Sequence, residues 1–456
     1  MDFRPLISII IPHRPDREIR CIDSINSQTY KNLEVIIQFD DGKHGAAFQR
    51  NRGARRAQGE FLFFCDDDII LEPDCLEIML KELNGQPDCS FAYCDYRKAG
   101  ALEGIETMEE WCFPAATQRN FVSTMSLIRA GNFPGFDESL TRYQDWDLCI
   151  RIGKHLKGWY IPKTLFTAYF DDDSISMQGR KSRLHNTEII KKKHGIIDKK
   201  LSIILPVYGQ IPYLRKCLSS IVENTRGDYE IIIIDDNGPA EPVKNGIADL
   251  DIPNLKLIQG KKRLWHSGAI NAGCEVADGD VFCLLNSDTL VPWNWNIILQ
   301  YHLYKNTLDR ELSAIGPITN NSASPQQKNI KITAAIDGMD VNIIQSHLRR
   351  YIKPRVYIAK ITGFCMVVDR RVWQEIGPFD EDFRGGGNEA DWIIRGIKEE
   401  MYPAICTETY VHHFKGRSYK SENKKAIWEE GRQLILKKHG EKWLNLLEQR
   451  YYFDLL

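Results

Sequence analysis

None of the twelve cysteines is spaced as a C-x-x-C pair, so the usual zinc-ribbon and thioredoxin-like signatures are absent. Most stand in apolar runs, as Cys65, Cys283 and Cys365 do. They are expected as buried reduced thiols, which fits a cytosolic compartment. No apolar run approaches the roughly 18 residues that span a bilayer, and Met1 to Leu6 is too short and polar to begin a signal peptide. Membrane contact is therefore expected only as peripheral contact at the inner face. Nor does one sign of charge dominate. Sixty Lys and Arg against 62 Asp and Glu leave a net charge of −2, which gives no general basic field for nucleic acid. Basic clusters do occur at Lys191 to Lys193 and Lys261 to Arg263. They read first as solvated faces, with phosphate, an anionic lipid surface or an acidic acceptor as the alternative.

What is present is a globular chain of 456 residues, 43% hydrophobic and 27% charged, long enough for two or three cores. An internal repeat organises it. Leu6 to Ile11 followed by Pro12 returns as Leu201 to Leu205 followed by Pro206. The strand-like run ending in Asp40-Asp41 returns as one ending in Asp235-Asp236. Asn51-Arg-Gly53 returns as Asn271-Ala-Gly273, and Phe61 to Asp68 as Val281 to Asp288. Lys192-Lys-His-Gly195 returns as Lys437-Lys-His-Gly440. The order is kept while the offset grows from 194 to 220 to 245 residues. A duplicated domain gives this pattern when its second copy carries two loop insertions of roughly 25 residues, within the usual tolerance of surface loops. The expected domains are 1–198 and 199–456, with the boundary in the short polar stretch at 196–200.

Within each copy apolar strand-like runs alternate with helical patterns, as in Arg17 to Gln28 and Tyr213 to Val222. Alternation of this kind predicts an α/β fold with a mostly parallel sheet flanked by helices. Ligands in such sheets bind beyond the carboxyl ends of the strands. The acidic triplets Asp66 to Asp68 and Asn286 to Asp288 stand there, although a turn using Asp and Asn for local hydrogen bonds is the alternative.

The ordered set of motifs resembles family 2 glycosyltransferases with the GT-A fold, twice. It runs from a strand ending in Pro, through a strand ending in Asp-Asp and an Asn-bearing helix, to a strand ending in a D-x-D-like triplet. Gly135-Phe-Asp-Glu138 and Pro378-Phe-Asp-Glu381 follow. Then come the Arg-ended segments Gln144 to Arg151 and Asn388 to Arg395. The resemblance implies two tandem GT-A, Rossmann-like nucleotide-diphospho-sugar transferase domains. It further implies Mn2+ or Mg2+ and a UDP-, GDP- or dTDP-sugar as donor. Carboxylates suit such hard cations, which offset the charge of a departing diphosphate. By resemblance Asp66, Asp68 and Asp288 hold the metal, joined by His412 or His413 from Val411 to Ser418. Asp67 and Asn286 belong to the same donor-binding triplets, and the neutral Asn286 implies weaker or differently shared metal binding. Asp41 and Asp236 resemble the carboxylate on the nucleotide base, with Asp40 and Asp235 as neighbours equally suited to a turn. Asn51 and Asn271 join the nucleotide-binding set.

Asp145 and Glu389 match the general base that takes the acceptor proton, although a first-turn carboxylate also suits the helix dipole. Asp147 and Asp391 are expected to support the helix start or bind acceptor. At the place of the histidine pair the first copy reads Tyr169 to Ser176, without His. Lys43 to Arg50 and Arg263 to Ile270 also differ, which implies different donors or acceptors, with packing as the alternative for Trp265 and His266. The resulting expectation is a bifunctional inverting transferase acting on a glycan, lipid-linked or other hydroxyl acceptor in surface polysaccharide or glycan assembly. The rivals are one active copy beside an acceptor-binding copy, an acceptor that is protein or modified nucleic-acid bases, and a non-enzymatic scaffold.

Overall fold

The computed structural model describes residues 4–40, 42–170, 180–196, 198–238, 242–305, 308, 310–322, 324–326, 340–351, 354–414 and 424–448. The chain forms two compact units, Met1–Ile197 and Asp198–Leu456.

The first unit runs β1 (Ile7–His13), α1 (Cys21–Asn26), β2 (Leu33–Phe39), α2 (Ala46–Ala54), β3 (Phe61–Phe64), β4 (Ile69–Leu71) and α3 (Cys75–Asn84). It continues with β5 (Cys89–Gly100), β6 (Gly104–Glu106), α4 (Phe113–Gln118), β7 (Leu127–Arg129), α5 (Gln144–Gly153), β8 (Lys157–Phe170) and α6 (Arg180–His194). Its sheet has the order β2-β1-β3-β7-β5-β8-β4, with β6 on β5. The strands β2, β1 and β3 are parallel, β7 runs against both its neighbours, and β8 is parallel to β5.

The second unit runs β9 (Leu201–Val207), α7 (Ile211–Asn224), β10 (Tyr229–Asp235), α8 (Val243–Gly246), β11 (Leu255–Gln259), α9 (Trp265–Val276), β12 (Val281–Leu285) and β13 (Thr289–Leu290). Then come α10 (Trp295–Tyr304), β14 (Leu312–Ile318), α11 (Val341–Tyr351), β15 (Val356–Ile358), β16 (Cys365–Asp369), α12 (Arg370–Ile376), α13 (Asn388–Lys398), β17 (Tyr402–Tyr410), β18 (His412–His413), α14 (Lys424–His439) and α15 (Glu441–Glu448). The large sheet is ordered β11-β10-β9-β12-β16-β14-β17-β15, and β13 pairs with β18 apart from it. Both large sheets are thus mixed: parallel strands from the start of each unit, then a reversed strand, β7 or β16, then a second parallel pair, β5 and β8 or β14 and β17. The two extra stretches of the second copy carry structure of their own: α8 and β11 in one, α11 and β15 in the other.

The central strands read as continuous apolar runs because both faces are covered. Ile7, Ile9, Ile10 and Ile11 are fully buried, as are Ile203, Ile204 and Leu205. One polar staple recurs inside this core. Ser8 and Ser202 donate to Glu34 and Glu230, while Gly59 and Gly279 each donate an N–H to the serine oxygen at 2.8 Å. The glycine of each Asn-x-Gly motif lets a helix lie close on its strand. A Cβ at Gly53 would collide with Ile10, and one at Gly273 with Ile204. Among the described residues no helix is long and apolar enough to cross a membrane.

Candidate active site

In each unit a cleft opens where the parallel strands end, as the topology requires. The first has a volume of about 910 Å³ and is lined by Asp40, Asp66, Asp67, Asp68 and Asp145 together with Gln49 and Arg50. Strand β3 delivers the acidic triplet: Phe63 and Phe64 are fully buried, Cys65 N–H still bonds Ile10 O at 3.0 Å, and the chain then turns out. Each carboxylate has a different setting. Asp66 accepts from Arg50 at 2.5 Å, and Arg50 also donates to Gln144 at 2.9 Å, tying the triplet to the start of α5. Asp67 meets His13 Nδ1 at 2.8 Å. Asp68 is pushed up to about 7 by burial and by its neighbours Asp66 and Asp67. Asp145 is also raised, by burial, against hydrogen bonds from Asn120 and the Trp146 N–H.

The second cleft, of about 240 Å³, is lined by Asp236, Trp265, His266, Asn286, Asp288, Glu389 and His413. The short β13–β18 ladder sets Thr289 opposite His413 and so draws the histidine to Asp288. Its Nε2 lies 3.4 Å from Asp288 Oδ1 and 3.5 Å from Asn286 Nδ2. Its Nδ1 is 3.0 Å from the Asn321 carbonyl. A carbonyl only accepts, so Nδ1 donates to it and Nε2 is the ring nitrogen turned toward Asp288. The ring is held flat on Phe364, with centroids 5.2 Å apart. His266 shares the cleft, with Nδ1 2.9 Å from the Asn388 amide. Burial lowers its proton affinity, against an opposing pull from Glu389.

Asp288 and His413 fit a divalent cation: a histidine oriented through its far nitrogen beside a carboxylate is a common ligand arrangement. Among the described residues no cluster of three His, Cys, Asp or Glu side chains could hold a metal. Such a set suits a cation that completes its shell with substrate phosphate oxygens and water.

The profile of glycosyl transferase family 2 matches residues 39–140 and 202–376, more than half of the chain and part of each unit. The chain belongs to glycosyl transferase family 2. An uncharacterized glycosyltransferase of Rickettsia bellii is 22% identical over 63% of this chain and 54% of its own length. The amylovoran biosynthesis glycosyltransferase AmsB of Erwinia amylovora is 26% identical over 32% of this chain and 64% of its own. The solved structure of GalNAc-T7 with UDP, GalNAc and Mn2+ superposes with a TM-score of 0.40 at 13% identity, covering 55% of this chain and 49% of that one. A score at that level carries no weight here. The chain spans about half the length of the first curated relatives it matches.

In this glycosyltransferase several expected site residues take other places. Asn51 and Asn271 do not line the clefts. Their amides are spent on the following loop: Asn51 bonds Phe136 N, Phe136 O and Glu138, and Asn271 bonds Phe379 N, Phe379 O and Glu381. Asp235 also stays out of the cleft, because it accepts from the N–H groups of Asn237 and Val243. Asp236 faces the cleft instead, raised by burial and accepting from Leu264 N–H.

Strand register corrects its partner. Leu33 lies opposite Ile7 and Tyr229 opposite Leu201, while Asp40 N–H bonds His13 O as Asp236 N–H bonds Val207 O. Asp40 is therefore the counterpart of Asp236, and Asp41 lies outside the described residues. Of the histidine pair, His412 turns away to the Tyr410 hydroxyl at 3.1 Å, since neighbours on a strand face opposite sides. In the first unit the ladder sets Ala168 opposite Ile69, the position His413 holds in the second. Asp147 and Asp391 are buried clamps rather than acceptor ligands. They bond His194 and His439 at 2.8 Å and Arg151 and Arg395 at 2.8 and 3.0 Å.

Arg50 and Gln49 were expected only as part of the differing stretch Lys43 to Arg50, without individual roles, and His13 was not expected at all. Aligning α2 with α9 reveals the first two in the sequence, because Gln49-Arg50 stands where the second copy has Ala269-Ile270. Arg50–Asp66 becomes Ile270–Asn286, and His13–Asp67 becomes Val207–Ser287. Both partners of each contact are replaced together.

Proposed function

We propose that each unit transfers a sugar from a nucleotide-diphosphate donor to a hydroxyl acceptor by direct displacement, inverting the anomeric carbon. One observation supports this most. In both units a carboxylate at the end of the third parallel strand, Asp68 or Asp288, shares one cleft with a carboxylate at a helix start, Asp145 or Glu389. A bound Mn2+ or Mg2+ would offset the negative charge of the departing diphosphate. Asp68 would hold that end of the donor in the first unit, and Asp288 with His413 in the second, next to the neutral Asn286. Asp40 and Asp236 would face the nucleoside. Asp145 and Glu389 would each take the acceptor proton, a role contributing roughly 10²–10⁴-fold. Burial raises the Asp145 carboxyl, which makes it the stronger base once ionised.

The acceptor is proposed as a glycan or lipid-linked sugar at the cytoplasmic face of a membrane. The likeness to AmsB, whose name places it in amylovoran biosynthesis, supports polysaccharide assembly. A second reading, one unit turning over and one only binding, draws on Ala168 in the place of the cleft histidine. Donor turnover by the full chain across UDP-, GDP- and dTDP-sugars tests the proposal. EDTA is expected to abolish release of the nucleoside diphosphate and added Mn2+ to restore it. Full turnover in metal-free protein would contradict it.

A further inference from the structure

Gln49 is 1% exposed, and among the described residues neither its amide nitrogen nor its amide oxygen has a hydrogen-bond partner. It nevertheless lines the first cleft. A buried amide left unpaired on both atoms is costly, so its place in a ligand site calls for a ligand.

Its height in the fold says which part of a ligand. Helix α2 lies over β1 and β2, because a Cβ at Gly53 would meet Ile10 and the Gln38 side chain. Gln49 precedes Gly53 by about one helical turn, or about 6 Å, on the same face. That brings it toward the carboxyl ends of β1 and β2, where His13 and Asp40 line the same cleft. The acidic triplet follows β3, on the far side of β1 in the sheet order. A diphosphate drawn to the triplet end would place its nucleoside at the β2 end. An uncharged amide adds little for phosphate, but it is planar and sets a donor beside an acceptor. That matches the edge of a nucleobase, where an N–H adjoins a carbonyl. In the second unit the equivalent residue is Ala269, fully buried and with no side-chain amide to offer.

We infer that Gln49 is a donor-selecting residue of the first unit, its buried amide pairing with the nucleobase; this rests on the nucleotide-sugar reading of that cleft. The second unit reads its nucleotide without such a group, and the two clefts therefore differ in nucleotide preference.

Calorimetric titration of the full chain with UDP, dTDP and GDP, each with Mn2+, tests this. Gln49→Met keeps the volume and removes both hydrogen bonds. Gln49→Glu keeps the shape and replaces the donor with an acceptor. Both are expected to weaken the first unit's preferred nucleotide by roughly 10- to 30-fold, the worth of two hydrogen bonds, and to leave the other binding event unchanged. Thermal unfolding of Gln49→Met is expected at or above the wild-type midpoint, since an unpaired amide is removed. Binding within two-fold of wild type in either folded variant overturns the inference alone. No binding of any nucleoside diphosphate by the wild type overturns the underlying reading, and the inference with it.

Discussion

Asp145 and Glu389 hold the second position of their helices, where a carboxylate also suits the helix dipole. Turnover separates the two roles. Asp145→Asn and Glu389→Gln keep size and hydrogen bonding, and each is expected to lower transfer in its own unit by roughly 10²-fold or more with little change in donor binding. A cap or dipole role would instead lower the unfolding midpoint and spare kcat. The base must be ionised to act, and burial raises the Asp145 carboxyl. Transfer by the first unit, measured at saturating Mn2+, should therefore fall on acidification at a pH above the ordinary aspartate value of about 4. Arg50 and Asp66 make a second case. Their contact is partly buried, with side chains 9% and 32% exposed, and the second unit has neither charge. Arg50→Ile and Asp66→Asn together should cost less than the sum of the two single losses, with a coupling of about 1 kcal/mol in a double-mutant cycle. Additive losses would mean that the two residues act apart.

The helices α5 and α6 are joined by a clasp that α13 and α14 repeat. Burial alone would raise the Asp147 carboxyl, but His194, Lys193 and Arg151 outweigh it and hold the group well below the usual range. Asp391 is bonded by His439 and Arg395 in the same way. Removing one partner of a buried cluster strands the others, so Asp147→Ala is expected to cost about 3 kcal/mol, seen in urea unfolding of the full chain. A loss under about 0.5 kcal/mol, the level of ordinary surface changes, would deny the clasp.

The sequence showed Lys-Lys-His-Gly as a repeat but not its purpose, because His194 and Asp147 are 47 residues apart. The strands were legible, since continuous apolar runs and strand-end prolines mark covered parallel strands. The register at Asp40-Asp41 was not, because matching two Asp-Asp pairs by eye shifted the alignment by one residue. The choice between His412 and His413 needed the ladder partner of β18, which lies more than a hundred residues earlier in the chain. Asn51 and Asn271 looked like ligands because the motif that carries them is repeated. In the structure they pin the loop that precedes α5 or α13, which is equally a reason for both copies to keep them.

At the scale of the whole chain, two units carry separate clefts that agree in scaffold and differ in lining. The staple at Ser8 and Ser202, the loop pins at Asn51 and Asn271 and the clasps at Asp147 and Asp391 recur. The groups facing the clefts do not: Gln49, Arg50 and His13 give way to Ala269, Ile270 and Val207, while Ala168 gives way to His413. Shared supports with divergent walls are consistent with the proposal of two transfers of different specificity. The central claim is that each unit performs its own transfer. It is tested most directly by measuring both transfers in full-length Asp68→Ala and Asp288→Ala. The account predicts that Asp68→Ala silences one transfer and spares the other, and that Asp288→Ala does the reverse. Loss of every transfer in one variant, with none lost in the other, would contradict it.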